Sequence, residues 1–299
     1  MRHGIPCVAL CSPRVRAGVW LIATWLAVPP MEQKAAGEEP PLTLSWKDDR
    51  LTIHGPDIPG GPIEVWYLEA YCRANSHTTD WVEHTVVPHR TELVAASEDG
   101  TRIELRCRVW DGIVVDHVIT AGPDNIDFQI TARNPTPRRS VVHWAQPCVR
   151  VGRFTGCGPD DTDDAYAYIE KSFVFLDGRL EYMPTPGWTT EARYTPGQVW
   201  AAQGVPPSDV NPRPLNRHRP SNGLIGCVSG EGTKILAMAF EPYQELFQGV
   251  GRCLHSDFRL GGLAAGESQE SRGKIYLLKN DSAALLKRYE QDFQRSPRR

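Results

Sequence analysis

Four stretches of this chain carry side chains able to move protons or hold a charged ligand. The run from Asp80 to Arg90 contains His84, His89 and Arg90. On an extended strand that spacing sends the two histidines to opposite faces, which makes a two-histidine metal site awkward and points to separate roles. One histidine could serve as a general base while Arg90 neutralises a carboxylate, the division of labour in uronate elimination; hydrogen bonding at a strand end is the plainer alternative. Between Ser140 and Arg150, alternation places Trp144 and Gln146 on one face and His143 on the other. An aromatic ring beside an amide suits a pyranose, with His143 and Arg150 nearby for acid–base or charge-neutralising work; a core tryptophan with a solvent-facing glutamine is the alternative. At His255-Ser256-Asp257-Phe258-Arg259 an imidazole, a carboxylate and a guanidinium can converge on a polar ligand. Asp257 and Arg259 would equally make an ion pair across one strand face. Asp160, Asp161 and Asp163 offer hard oxygen ligands in a loop, enough for a calcium ion although the EF-hand spacing is missing, and otherwise a solvated acidic turn.

These residues need strands to position them. Arg102 to Trp110 alternates Ile103, Leu105, Cys107 and Val109 with charged residues, the pattern of a half-buried antiparallel strand. Asp111-Gly112 then supplies a tight hairpin, Ile113 to Thr120 the return strand, and Ile126 to Arg133 a third, which together make a meander. His117 shares the apolar face of the return strand and reads as a satisfied core histidine. Further strands are expected at 42–46, 51–54, 63–72, 82–87, 140–151, 173–176, 234–240, 243–254 and 274–278. The one expected helix starts at the caps Asp281 and Ser282, with Leu285, Tyr289 and Phe293 on one stripe that docks on the sandwich edge. The expected fold is all-β, a large antiparallel β-sandwich of the supersandwich type with a short C-terminal helix.

With Lys+Arg 33 against Asp+Glu 36, no field of one sign recruits nucleic acid or an anionic membrane. Phosphate-cradling glycine loops, serine elbows and zinc-protease helices are absent, so no nucleotide cofactor is expected. Residues 1–36 read as a signal peptide, with Arg14 and Arg16 before an apolar run from Ala17 to Val28, cleavage between Pro30 and Gly37, and a secreted or periplasmic destination for a single domain over 37–299. Outside that leader lie Cys72, Cys107, Cys148, Cys157, Cys227 and Cys253, which allow up to three disulfides or stay as buried thiols; none has CxxC spacing. From Tyr182 to Asn222 the alternation collapses into a segment with eight prolines together with Trp188 and Trp200. It is expected to be a lid over a site, its tryptophans contributing to a ligand surface.

The block from Gly112 to Ile119, followed by Asp127 to Ile130 and Arg133-Asn134-Pro135-Thr136, resembles a recurring stretch of galactose-mutarotase-like β-supersandwich domains. Leu263-Ala264-Ala265-Gly266-Glu267, before the strand Gly273 to Leu277, is similar to the end of the same domains. The resemblance implies a concave sheet that meets carbohydrate, as in mutarotases, polysaccharide lyases and accessory domains of glycoside hydrolases. It implies a histidine acid and a glutamate base, neither of which aligns residue by residue here. Two readings follow: a carbohydrate epimerase or lyase using His84, His143 or His255 with Arg90 or Arg150, or a non-catalytic carbohydrate-binding or envelope protein of the same fold in which the aromatic residues bind.

Overall fold

A computed structural model describes residues 42–75, 81–158, 167–188, 198–209, 215–249 and 251–293. Their strands are β1 (Thr43–Lys47), β2 (Arg50–His54), β3 (Ile63–Arg73), β4 (Val86–Val87), β5 (His89–Ala96), β6 (Arg102–Val109), β7 (Val114–Ala121), β8 (Asn125–Arg133), β9 (Val142–Arg150), β10 (Ser172–Leu176), β11 (Arg179–Tyr182), β12 (Val199–Ala201), β13 (Pro220–Val228), β14 (Lys234–Glu241), β15 (Tyr243–Gly249), β16 (Cys253–Arg259) and β17 (Ser268–Lys279). Two helices accompany them, α1 (Trp81–His84) and α2 (Ser282–Phe293). The first sheet runs β1-β2-β3-β9-β16-β15-β12, with β4 also on β3. The second runs β11-β10-β13-β14-β17-β8-β7-β6-β5, and every strand pairing in both is antiparallel.

Aromatic rings join the two sheets across the core. Tyr67 from β3 meets Phe128 from β8 at 5.2 Å between ring centres, and Phe258 from β16 meets Phe240 from β14 at 5.6 Å. Aliphatic side chains from the inward positions of both sheets fill the remainder, including Leu105, Val115, Ile130, Leu246 and Leu254. Such contacts hold each ring to both layers, so the sheets keep one alignment rather than sliding. The meander is present as β6, β7 and β8, and its first hairpin turns on Gly112, whose φ of 101° only glycine adopts without strain.

The two segments that carry the family resemblance meet in space. Asn134, buried, donates through its side-chain amide to the carbonyls of Leu263, Ala264 and Arg138, while the Gly266 N–H donates to the Asn134 carbonyl. A turn that would otherwise bury several unpaired carbonyls is thereby satisfied by one side chain.

Some expectations change. The span 82–87 is split into α1 and β4, and 243–254 is a β15–β16 hairpin instead of one strand. The helix α2 is capped by Asp281, whose Oδ1 accepts from the Ala284 N–H at 2.9 Å, but it lies on the outer face of the second sheet: Leu285 and Tyr289 pack with Phe173, Phe175, Ala237 and Tyr276. Cys72, Cys107, Cys148, Cys157, Cys227 and Cys253 are all free. The proposed signal peptide and the calcium ligands Asp160, Asp161 and Asp163 lie outside the described residues.

His117 is 1 % exposed and sits between two tyrosine hydroxyls, Tyr67 at 2.9 Å from Nδ1 and Tyr71 at 3.3 Å from Nε2. A neutral imidazole has one donor and one acceptor nitrogen, so both contacts are made without a charge. Burial, little offset by Asp116, lowers its pKa to about 3. A depressed histidine contributes stability that is complete above its unfolded pKa and is lost as pH falls toward the folded one. Below about pH 6, stability should therefore fall with a slope of about 1.4 kcal/mol per pH unit from this residue. Urea unfolding of the wild type and of His117→Gln at several values between pH 6 and pH 4 should show the shallower slope in the variant.

Candidate functional site

The outer face of the first sheet is built by three adjacent strands. The register of β16 on β9 sets Cys253 opposite Arg150, Leu254 opposite Val149 and Arg259 opposite Trp144. By the same register His255 lies opposite Cys148 and Asp257 opposite Gln146. Because side chains alternate, Cys253, His255, Asp257 and Arg259 all leave β16 on the outer side, while Leu254 and Phe258 enter the core. On the next strand, Tyr67 and Leu68 both turn inward at an irregularity in the β3–β9 register. That doubled inward step puts Glu69 on the outer face.

His255 is the centre of the resulting cluster. Its Nε2 is 3.4 Å from Cys253 Sγ and 3.8 Å from Glu69 Oε2; its Nδ1 is 3.5 Å from Asp257 Oδ1. Phe247 of β15 stacks on the ring, 4.2 Å between centres and 10° from parallel. Gln146 Nε2 donates to Asp257 Oδ2 at 2.8 Å, and Glu245, also fully buried, lies opposite Asp257 on β15. His255 and Asp257 have almost no contact with solvent, whereas the Glu69 side chain keeps 28 % of its surface. Glu69 is thus the member of the cluster that a ligand can reach.

Burial and charge act in opposition here. Burial disfavours imidazolium at His255, but the Cys253 sulfur and the Asp257 carboxylate together outweigh it and hold the pKa well above the usual value. Burial raises the Asp257 carboxyl to about 6, against the lowering effect of His255 and Gln146. The hydrogen bond from Cys148, with help from His255 and Arg150, holds the Cys253 thiol well below its ordinary value. One buried side-chain set therefore includes an acid, a base and a nucleophilic sulfur in contact.

Beside the cluster, a surface depression is lined by Thr52, Glu64, Arg150, Arg153 and Phe154. Arg150 belongs to both places, since it stands opposite Cys253 and forms part of the depression wall. Trp66, half-buried, pairs with Cys148 in the β3–β9 register and carries the Arg50 guanidinium over its ring at 4.3 Å.

Several residues read from the sequence lie elsewhere. Trp144 shares the outer face with Gln146 but is fully buried under Trp81 and Val86, so it offers no ring face to a sugar. Trp200 belongs to β12, an edge strand on β15, and faces the main core. Trp188 packs half-buried against that core. His84 ends the exposed helix α1, 4.0 Å from Glu83, and Arg90 is exposed on β5 at the edge of the second sheet, so the two are not a catalytic pair on one strand. His143 stands apart from the cluster: its Nδ1 is 3.2 Å from Asp209 Oδ2. Arg259 reaches the same oxygen at 3.3 Å and donates to Gln244 Oε1, rather than pairing with Asp257. Glu69, Cys148, Cys253 and Glu245 were not singled out as site residues from the sequence.

No family model matches this chain and no curated protein matches it. Solved structures do. A putative aldose 1-epimerase from Escherichia coli aligns over 80 % of this chain and 99 % of its own, at 10 % identity and a TM-score of 0.41. A galactose mutarotase-like protein from Lactobacillus casei aligns over 79 % and 99 %, at 8 % identity and 0.38, and a putative mutarotase from Salmonella typhimurium over 80 % and 94 %, at 10 % and 0.36.

The expected lid is in part fixed to the sheet. Residues Pro207–Asp209 form a single 3-10 turn, and Asp209 is held by His143 and Arg259 while its carbonyl accepts from Gln244. Asp209→Ala removes both charged contacts, each worth about 1.5–3 kcal/mol when buried. Trypsin cleavage after Arg217 should then speed up about tenfold or more in the variant, with the global unfolding midpoint shifted far less; equal cleavage rates would show that the segment is held by other contacts.

Proposed function

We propose that this protein is a carbohydrate-active enzyme that transfers protons on a sugar from the outer face of the first sheet, in an epimerase-like or lyase-like reaction. The observation that carries the reading is the approach of Glu69 Oε2 to His255 Nε2 at 3.8 Å, with Asp257 at the other ring nitrogen. Glu69 meets the substrate and takes a proton from a sugar hydroxyl or ring carbon. His255 behind it, held as imidazolium, exchanges its proton with the Glu69 carboxyl, and Asp257 offsets the imidazolium charge. For an aldose, loss of the anomeric hydroxyl proton to Glu69 makes the carbonyl as the ring C–O bond breaks, and the ring oxygen takes a proton in turn. The depression with Glu64, Arg150 and Arg153 supplies partners for hydroxyls, and its guanidinium groups favour a sugar bearing a carboxylate. The leader read at residues 1–36 supports work on exported or environmental carbohydrate. A purely binding role rested on exposed aromatic platforms, and the burial of Trp144 and Trp200 removes that support.

Anomer interconversion followed by NMR on a panel of aldoses, beside absorbance assays for unsaturated products on uronate glycans, tests the reading. Glu69→Gln and His255→Asn should each lower turnover about a hundredfold or more while sugar binding is kept. Turnover by Glu69→Gln at the wild-type rate would overturn it.

The pH profile has a fixed sign. With its carboxyl raised to about 6, Asp257 is neutral below that pH and no longer offsets the imidazolium. The rate should fall as pH drops through about 6, and Asp257→Asn should be slow at every pH without that inflection. A wild-type profile flat between pH 5 and 7 would exclude Asp257 from this role.

A further inference from the structure

We propose that Cys148, Cys253 and His255 form a binding site for a divalent transition-metal ion of the zinc class, with Glu69 closing the fourth position. Among the described residues these three are the one group of metal-ligating side chains whose donor atoms all lie within 4.8 Å of one another, and all three are buried. The Cys253 Sγ to His255 Nε2 separation is 3.4 Å and the Glu69 Oε2 to Nε2 separation is 3.8 Å. Donors around a tetrahedral zinc, with arms of about 2.0–2.3 Å, stand about 3.3–3.8 Å apart, so the three buried donors need only a small contraction, while Glu69, near His255 but outside their 4.8 Å group, must swing inward to take the fourth position. Two sulfurs, one imidazole nitrogen and one carboxylate oxygen are also the donor types that a borderline-soft ion selects.

The register argues that the two thiols are ligands rather than a disulfide pair. Cys148 stands directly across from His255 and only diagonally from Cys253, and the chain holds both as free cysteines. Diagonal neighbours on antiparallel strands have Cα atoms about 7–8 Å apart, beyond the usual disulfide range of about 4.4–6.8 Å. A metal ion bridges such a pair without moving either strand.

The surroundings of His255 fit the same role. Its Nε2 faces the two sulfurs and Glu69, while Nδ1 faces the Asp257 carboxylate, which is itself held by Gln146. A carboxylate on the far nitrogen fixes the tautomer that leaves Nε2 free to ligate. His255 Nδ1 and Asp257 Oδ1 stand 3.5 Å apart with no hydrogen bond completed among the described residues, so a small shift of the ring brings Nδ1–H onto the carboxylate. Arg150, directly opposite Cys253, lies where it offsets the negative charge of two thiolates and a carboxylate.

The proposal goes beyond the proton-transfer reading and stands on donor geometry alone. The two readings give Nε2 different partners, a proton in the free protein and an ion in the loaded one, so the test reads the ion directly and without sugar. Purified protein, stripped with a chelator, is titrated with Zn2+ against a chromophoric competitor and separately with Co2+. The expected result is one ion per chain, a thiolate-to-cobalt charge-transfer band with the visible bands of tetrahedral cobalt, and protection of two cysteines from alkylation. Cys148→Ser and Cys253→Ser should each weaken Zn2+ binding at least about a hundredfold. Cys227→Ser, which alters a buried core thiol outside the cluster, should bind as wild type does. Asp257→Asn should weaken binding about 10–100-fold, as loss of a ligand's hydrogen-bond partner does. Failure of the wild type to take up an ion, an ion without a thiolate band, or a Cys148–Cys253 disulfide in the mass spectrum would overturn the proposal; these readouts use wild-type protein and hold even if a serine variant does not fold.

Discussion

The antiparallel register of β16 on β9 is the constraint from which the candidate site follows. Once Leu254 lies opposite Val149, every second residue of both strands is assigned to the outer face, and four unlike pairs are formed there: Cys253 with Arg150, His255 with Cys148, Asp257 with Gln146 and Arg259 with Trp144. A slip by one residue would exchange this polar set for Leu254, Ser256 and Phe258. The slip is prevented from the other side of the strand, where Phe258 packs on Phe240 and Leu254 enters the common core. Hydrophobic packing between the sheets thus sets the geometry of a polar cluster on the opposite face.

Keeping that cluster buried is costly, and the details of its contacts show how the cost is limited. An isolated carboxylate away from water would shift toward its neutral form, and the Asp257 carboxyl does so part of the way, reaching about 6. It goes no further because Gln146 donates to one oxygen and the His255 ring lies beside the other. Replacing such a set by well-packed apolar residues would often be neutral or stabilising. A fold that retains two thiols, an imidazole and three carboxylates here is one in which the polar groups serve something other than stability.

How much of this is legible in the sequence depends on whether period-two alternation is unbroken. The meander from Arg102 to Arg133 is regular, and its strands and Asp111-Gly112 hairpin lie where the alternation placed them. Alternation also paired Trp144 with Gln146 and Asp257 with Arg259 on their respective faces. It could not show that α1 and β4 cover Trp144, because that burial comes from segments distant along the chain. Glu69 was hidden by the irregularity at Tyr67 and Leu68, which takes it out of the inward alternation that Val65, Tyr67 and Tyr71 keep. Cys253 was hidden by the β15–β16 turn, since a strand read through to Leu254 separates that cysteine from His255 and Asp257. The unit Cys253-x-His255-x-Asp257 is visible only when the strand begins at Cys253. Trp200 had an apolar face that was read as ligand-binding, when the segment joins the sheet as β12 and buries the ring.

The position of β12 also decides from which side a ligand can approach. Val199 and Ala201 of that strand pack with Phe247, and Phe247 lies flat on His255, so the imidazole is shielded toward this edge. At the β16 end beyond Asp257, the His143–Asp209–Arg259 contacts tie the Pro207–Asp209 turn to the sheet and cover the face there. The half-buried residues Trp66 and Glu69 remain on β3, and Arg150 at the end of β9 lines the depression with Glu64 and Arg153. A ligand entering from that side meets guanidinium groups first and the Glu69 carboxylate next, with His255 and the two thiols behind. The order follows from covering one edge of the sheet with apolar packing and leaving the other to charged side chains. It gives Glu69 the same position whether the group behind it holds a proton or an ion: it is the side chain through which the buried cluster meets whatever binds outside.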